Sequence, residues 1–216
     1  MVSRAIIGDV SRVVSEVDAG VVRFRPGDIA FHGLATYLTA LQGFFGLADI
    51  YDHTTPTAPW AHDDVAIFDA AACDVRLIWN PFQTVFPMTR NAWPHQIEFA
   101  AYEAKPIQGN LNLGVLEHYM YGLGQLLLVN MVENQKPLLK QRFGSTRSWP
   151  PVWNFARVVR NAMSHGGQLA IEDRAQVSWK RLSYSDADNG RRRIINVDLW
   201  PADLIILVEE MQRAMA

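Results

Sequence analysis

The stretch Pro150-Pro151-Val152-Trp153-Asn154-Phe155-Ala156-Arg157-Val158-Val159-Arg160-Asn161-Ala162-Met163-Ser164-His165-Gly166-Gly167 reads as one amphipathic helix with a marked start and a marked stop. Two prolines suit its first turn, and two glycines end it. Val152, Phe155, Ala156, Val159, Ala162 and Met163 recur at helical spacing and form an apolar stripe. Arg160, Asn161 and His165 lie off that stripe. Asn161 and His165 are four residues apart and share a face. A histidine in a last helical turn feels the dipole, which favours its protonated form, while Arg160 opposes it. Such an imidazole suits general acid–base work, and an arginine fork suits a phosphate. The alternative is plain capping, for which Arg and His are favoured at any helix end.

Working outward, the preceding segment Leu113 to Glu133 is apolar nearly all round and is expected to be the central, most buried helix. A loop should follow from Lys136 to Pro151, with Lys136, Lys140, Arg142 and Arg147. Beyond the glycines the period changes to two, with Val177 and Trp179 on one side of Asn189-Gly190 and Ile195, Val197 and Leu199 on the other. That pattern predicts a β-hairpin turning at Asn189-Gly190. Arg191, Arg192 and Arg193 follow the turn and either bind a substrate or solvate an exposed strand. A last helix opens at Pro201 and carries Leu204, Leu207, Val208, Met211 and Met215.

The N-terminal half also reads as helical. Ser3 to Val17 has Ile6, Ile7, Val10, Val13, Val14 and Val17 at helical spacing. Asp28 stands as N-cap to a helix running to about Ile50, and Asp63 and Asp64 open a third that ends at Asn80-Pro81. Residues 81 to 110 read as an irregular, aromatic-rich insertion, punctuated by Pro81, Pro87, Pro94 and Pro106, with a short helix near Gln96 to Ala104. It is either a cover over the core or a functional surface. The expectation is one domain over residues 1–216, mostly α, with a β-hairpin before the last helix.

Composition excludes several classes. The formal net charge of −2 argues against a bulk nucleic-acid binder, though not against a local cationic pocket. Cys73 is the only cysteine, so neither an intrachain disulfide nor a cysteine-rich metal site can form. No phosphate loop, HExxH motif or serine nucleophile elbow is present. His53 and His62 lie near Asp52, Asp63 and Asp64, but their spacing fits no ligand pair and reads as a solvated loop. The N-terminal residues do not have the pattern of a signal peptide, and the most apolar run, Leu123 to Val132, is too short for a bilayer. A cytoplasmic protein with no membrane partner is expected.

Residues 160–167 resemble the signature of the HEPN superfamily (higher eukaryote and prokaryote nucleotide-binding domains): an arginine, a polar residue, then a histidine, late in a helix of an all-α bundle. The gap here is four residues. The signature allows four to six intervening residues and its polar residue is usual, not obligatory; Arg25 with His32 and Arg90 with His95 also meet that spacing, but Pro26-Gly27 and Pro94 interrupt them. The order of motif helix, glycines, hairpin and closing helix also looks like some bacterial HEPN proteins. The resemblance covers the chain from about Leu111 onward. It implies a HEPN-like helical bundle and a metal-independent endoribonuclease without cofactor, acting as a toxin or anti-phage defence effector. It also implies Arg160, Asn161 and His165 as catalytic residues, RNA as substrate, a homodimer with facing motif helices, and a cognate antitoxin as partner. The other reading is a non-catalytic nucleotide- or protein-binding module, with Trp79, Phe82, Phe86 and Trp93 as its recognition surface.

Overall fold

A computed structural model describes residues 3–7, 17–51, 61–106, 116–171, 176–191, 194 and 197–216. The chain forms two compact units, one of Met1–Asp69 with Val75–Lys105, the other of Ala70–Asp74 with Pro106–Ala216.

The first unit is built on a five-stranded sheet. Its strands are β1 (Ser3–Ile7), β2 (Asp18–Phe24), β3 (Val65–Phe68), β4 (Val75–Trp79) and β5 (Ile97–Glu103), in the order β1-β3-β4-β5-β2. β1 runs parallel to β3, and the other pairings are antiparallel. Helices α1 (Phe31–Tyr51) and α2 (Pro81–Thr89) complete the unit. β3 is a continuous apolar run and is buried along its whole length, as expected of a strand covered on both faces. β5 alternates, burying Ile97, Phe99 and Ala101. Phe99 pairs with Trp79 across the sheet and meets Phe24 and Phe68 edge-on, at ring centroids 6.5 and 6.2 Å apart. Inside this apolar core the Arg76 fork grips Asp69 at 2.7 and 2.9 Å, both side chains only 1% exposed. A buried cation needs such a bidentate partner, because an unpaired one would carry its full desolvation cost.

The second unit carries α3 (Leu116–Phe143), α4 (Pro151–Ser164), a hairpin of β6 (Val177–Trp179) and β7 (Leu182–Tyr184), and α5 (Pro201–Arg213). α4 buries Trp153, Phe155, Ala156, Val158, Val159, Ala162 and Met163. Phe155 stacks on Tyr184, and the Trp153 indole donates to the Met211 carbonyl at 2.9 Å. Asp203, fully buried in the first turn of α5, accepts backbone N–H groups from Ala71, Ala72, Cys73 and Trp200 at 2.7 to 3.0 Å. Burial pushes this carboxyl up, and the donors pull it back down.

These elements correct the expectation of a mostly α, HEPN-like bundle: the protein is mixed α/β. Ser3–Ile7 is a strand where a helix was expected; residues 8–16 lie outside the described residues. The helix expected from Asp63 to Trp79 is the β3–β4 pair, whose short apolar runs, rich in Val and Ile, fit strands. Of the supposed insertion at 81–110, the part up to Lys105 belongs to the sheet unit, for α2 occupies Pro81–Thr89 and Gln96–Ala104 contains strand β5, not a helix; residues 107–110 lie outside the described residues.

Within the second unit, α3 runs on through Pro137 to Phe143, replacing much of the loop expected at 136–151. Leu126 and Leu138 on it are 54% and 46% exposed, so it is not buried all round. The hairpin turns at Lys180-Arg181, with Lys180 at a φ of 52°. Asn189-Gly190 forms a separate turn, closed by the Arg191 N–H on the Asp188 carbonyl at 3.2 Å. Residues 54–60 lie outside the described residues.

Candidate functional site

The end of α4 is held by a dense set of caps. Gly166 takes a φ of 68°, and the Gly167 N–H reaches back to the Ala162 carbonyl at 2.8 Å, the long bond of a Schellman motif. The His165 N–H donates to the same carbonyl at 3.0 Å. The Tyr121 hydroxyl, from α3, donates to the Met163 carbonyl, and Ser164 Oγ to the Arg160 carbonyl at 3.2 Å. Carbonyls that a helix end leaves open are thereby satisfied. The side chains of Asn161 and His165 take no part in that capping.

Arg160 is 27% exposed and is set on two sides. Its Nη2 is ion-paired with the Glu133 carboxylate of α3, and its Nη1 donates to Asn161 Oδ1 at 2.9 Å. Its Nε is buried and has no hydrogen-bond partner among the described residues. Asn161, with its oxygen engaged, keeps its amide N–H groups for an incoming acceptor. His165 is exposed at the C-cap. Five residues on a helix turn through about 140°, so Arg160 and His165 leave α4 in different directions. Among the described residues no hydrogen bond joins Asn161 to His165. The arginine and the asparagine form one unit, and the histidine stands at its edge.

Arg191 is exposed, and its segment lies against the strip that follows His165. The Gly190 N–H donates to the Leu169 carbonyl at 3.1 Å, the Ile194 N–H to the Gly167 carbonyl at 3.0 Å, and Asn189 brackets both polar groups of the Ile171 backbone. Arg191 therefore belongs to the same end of the unit as His165. Arg192 and Arg193 lie outside the described residues.

The chain was compared with family models, curated proteins and solved structures, and matches none.

The aromatic residues named for a recognition surface separate into two groups. Trp79 is 1% exposed, part of the sheet core, and donates to Thr84 Oγ1 at 3.0 Å. Phe82, Phe86 and Trp93 stay at the surface or half-buried. His62 stacks on Phe82 at 3.7 Å. Asp52 and His53 lie outside the described residues, and among the described residues no group of three metal-ligating side chains occurs.

Glu133 is the residue that motif reading missed. It is the only Asp or Glu between Glu117 and Glu172. A lone acid in a stretch with six cations marks a specific pairing, and that signal was open to inspection.

Proposed function

We propose that the second unit is a metal-independent endoribonuclease whose chemistry lies at the end of α4. The observation that carries this reading is the set Arg160–Asn161, a cationic fork and an amide fixed in place by Glu133 beside an exposed His165. The proposal takes over the chemistry that the resemblance of residues 160–167 implies and leaves aside its all-α bundle.

In this reading the His165 imidazole takes the proton of a ribose 2′-hydroxyl, and that oxygen attacks the adjacent phosphorus. The bond from phosphorus to the 5′-oxygen breaks, leaving a 2′,3′-cyclic phosphate and a 5′-hydroxyl that needs a proton. Arg160 and the Asn161 amide stabilise the charge that builds on the non-bridging oxygens. One chain offers one imidazole, set apart from its guanidinium. A homodimer with facing α4 ends supplies a second imidazole to protonate the leaving oxygen and a second arginine for the phosphate. Arg191, Arg192 and Arg193 hold the RNA backbone. A toxin or defence effector of this kind acts in the cytoplasm, checked by an antitoxin; among the described residues no helix is long and apolar enough to cross a membrane.

One observation favours the non-catalytic alternative: the Glu133 carboxylate already occupies the Arg160 fork, as a structural ion pair would. Cleavage assays in EDTA separate the two. The proposal expects undiminished cleavage of an RNA oligonucleotide in EDTA, and none where the scissile position carries a 2′-deoxyribose. Activity lost in EDTA and restored by magnesium would replace it with metal-dependent chemistry, and no cleavage of any RNA would leave the binding module.

A further inference from the structure

Four planar groups form a continuous stack along the exposed face of α2 in the first unit. The His62 ring lies 3.7 Å from Phe82 at an interplanar angle of 22°, Phe82 lies 4.5 Å from Phe86 at 21°, and the Arg90 guanidinium carbon sits 4.1 Å from the Phe86 ring centroid. Phe82, Phe86 and Arg90 follow at four-residue spacing, which places them one above the other on a helix. Three residues past Arg90, beyond the end of α2, Trp93 is 50% exposed and meets His32 at 4.4 Å, nearly edge-on.

His62 and Phe86 are exposed and Phe82 is half-buried, and holding such rings in a parallel stack costs side-chain entropy. The ends of the stack say what would complete it. Arg90 is exposed, has no carboxylate partner among the described residues, and lies in a stretch from Val75 to Ile97 that contains no Asp or Glu. Its second face is open to another π-system and its N–H edge to an anion. A ligand that combines a flat ring with a negative charge is a nucleotide. Two stacking surfaces within one turn of chain, at Arg90 and at Trp93, suit successive bases of a strand. A duplex cannot offer these faces, because its bases are already stacked on one another.

We propose that the α2 stack, ending on Arg90 and continued by Trp93, is a binding surface for single-stranded nucleic acid. Arg90 lies between Phe86 and a base and also meets the backbone phosphate; Trp93 takes the neighbouring base. This surface goes beyond the cleavage reading and does not depend on it.

The test uses the full chain and a fluorescein-labelled 12-mer of deoxyadenosine, which carries no 2′-hydroxyl and so reports binding alone. Anisotropy titrations compare the wild type with Arg90→Ala, Arg90→Lys and Trp93→Ala, all at exposed positions. Loss of one stacked base should weaken binding roughly tenfold in Arg90→Ala and in Trp93→Ala. Arg90→Lys keeps the charge without the plane and should recover only a minor part. The same 12-mer in a duplex should bind more weakly than the single strand. Unchanged affinity in both alanine variants would overturn the proposal. So would full recovery by lysine, a duplex held as tightly as the strand, or a proline-rich peptide whose binding, rather than the oligonucleotide's, is lost in the variants.

Discussion

Asp203→Asn should be among the most damaging conservative substitutions in the second unit. Oδ1 of Asp203 accepts from Ala72 and Cys73 at 3.0 and 2.9 Å, and Oδ2 accepts from Ala71 and Trp200 at 2.7 and 2.9 Å. Asparagine keeps one accepting oxygen and replaces the other with an NH2 group. Two backbone donors then face a donor at a site with no solvent exposure. A hydrogen bond to a charged group contributes about 1.5–3 kcal/mol, so losing two costs about 3–6 kcal/mol. Neutralising a carboxyl that burial disfavours returns part of this, and the expected net loss is about 3 kcal/mol. That is a large share of the 5–15 kcal/mol by which domains are stable, on the order of. Urea unfolding followed by far-ultraviolet circular dichroism measures it. Asp188→Asn, at a half-buried carboxylate that accepts only from Ser185 among these bonds, is the control and should lose about 1 kcal/mol. A loss below 1 kcal/mol for Asp203→Asn would refute the reasoning that the four donors fix the start of α5.

Gly166→Ala should destabilise by about 1 kcal/mol through its positive φ alone, because nothing lies within 4 Å of the added Cβ. Gly122→Ala, in open space inside α3, should instead stabilise by about 0.5–1 kcal/mol, and thermal melts distinguish the two signs. Cys73 is buried, and burial together with the neighbouring Asp203 carboxylate pushes its thiol far up. It should therefore resist a disulfide reagent in the native chain and react promptly in denaturant; rapid native labelling would contradict the burial.

What was legible in the sequence follows from how each element advertises itself. α4 and α5 show a full apolar stripe, an initial proline and, for α4, a glycine stop, and these signals act within the segment. α1 lies where a helix was expected but begins at Phe31, and Asp28 is not its side-chain cap, because its carboxylate accepts the Arg25 N–H at 2.7 Å. The sheet was missed because its strands are short, and a run such as Val65-Ala66-Ile67-Phe68 has no period to read. Asp69 and Arg76 beside such runs form a buried ion pair with one another, a pairing that only the folded sheet brings together. β5 was readable: Ile97, Phe99 and Ala101 alternate with Glu98, Ala100 and Tyr102, a period of two where a short helix was expected. Asn189-Gly190 is a turn, as its residues demand. Which segments a turn joins is decided by tertiary pairing, and here Asn189 serves Ile171. At the candidate site the three motif residues stood out by their place off the stripe. The anchor of Arg160, Glu133, lies 27 residues before it; its place as a lone acid among cations pointed to a pairing, and the packing of α3 on α4 identifies the partner.

The chemistry proposed for the end of α4 is tested by cleavage of a labelled RNA with analysis of the new ends. Wild type, His165→Ala and Arg160→Ala are compared at equal, verified fold content. Wild-type products should end in a 2′,3′-cyclic phosphate, and His165→Ala should lose roughly a hundredfold or more in rate, the scale of a lost general base. Arg160→Ala should fall comparably, as removal of a charge-stabilising donor does. Variants that fold normally and cleave at the wild-type rate, or products that carry a 5′-phosphate, would contradict that chemistry.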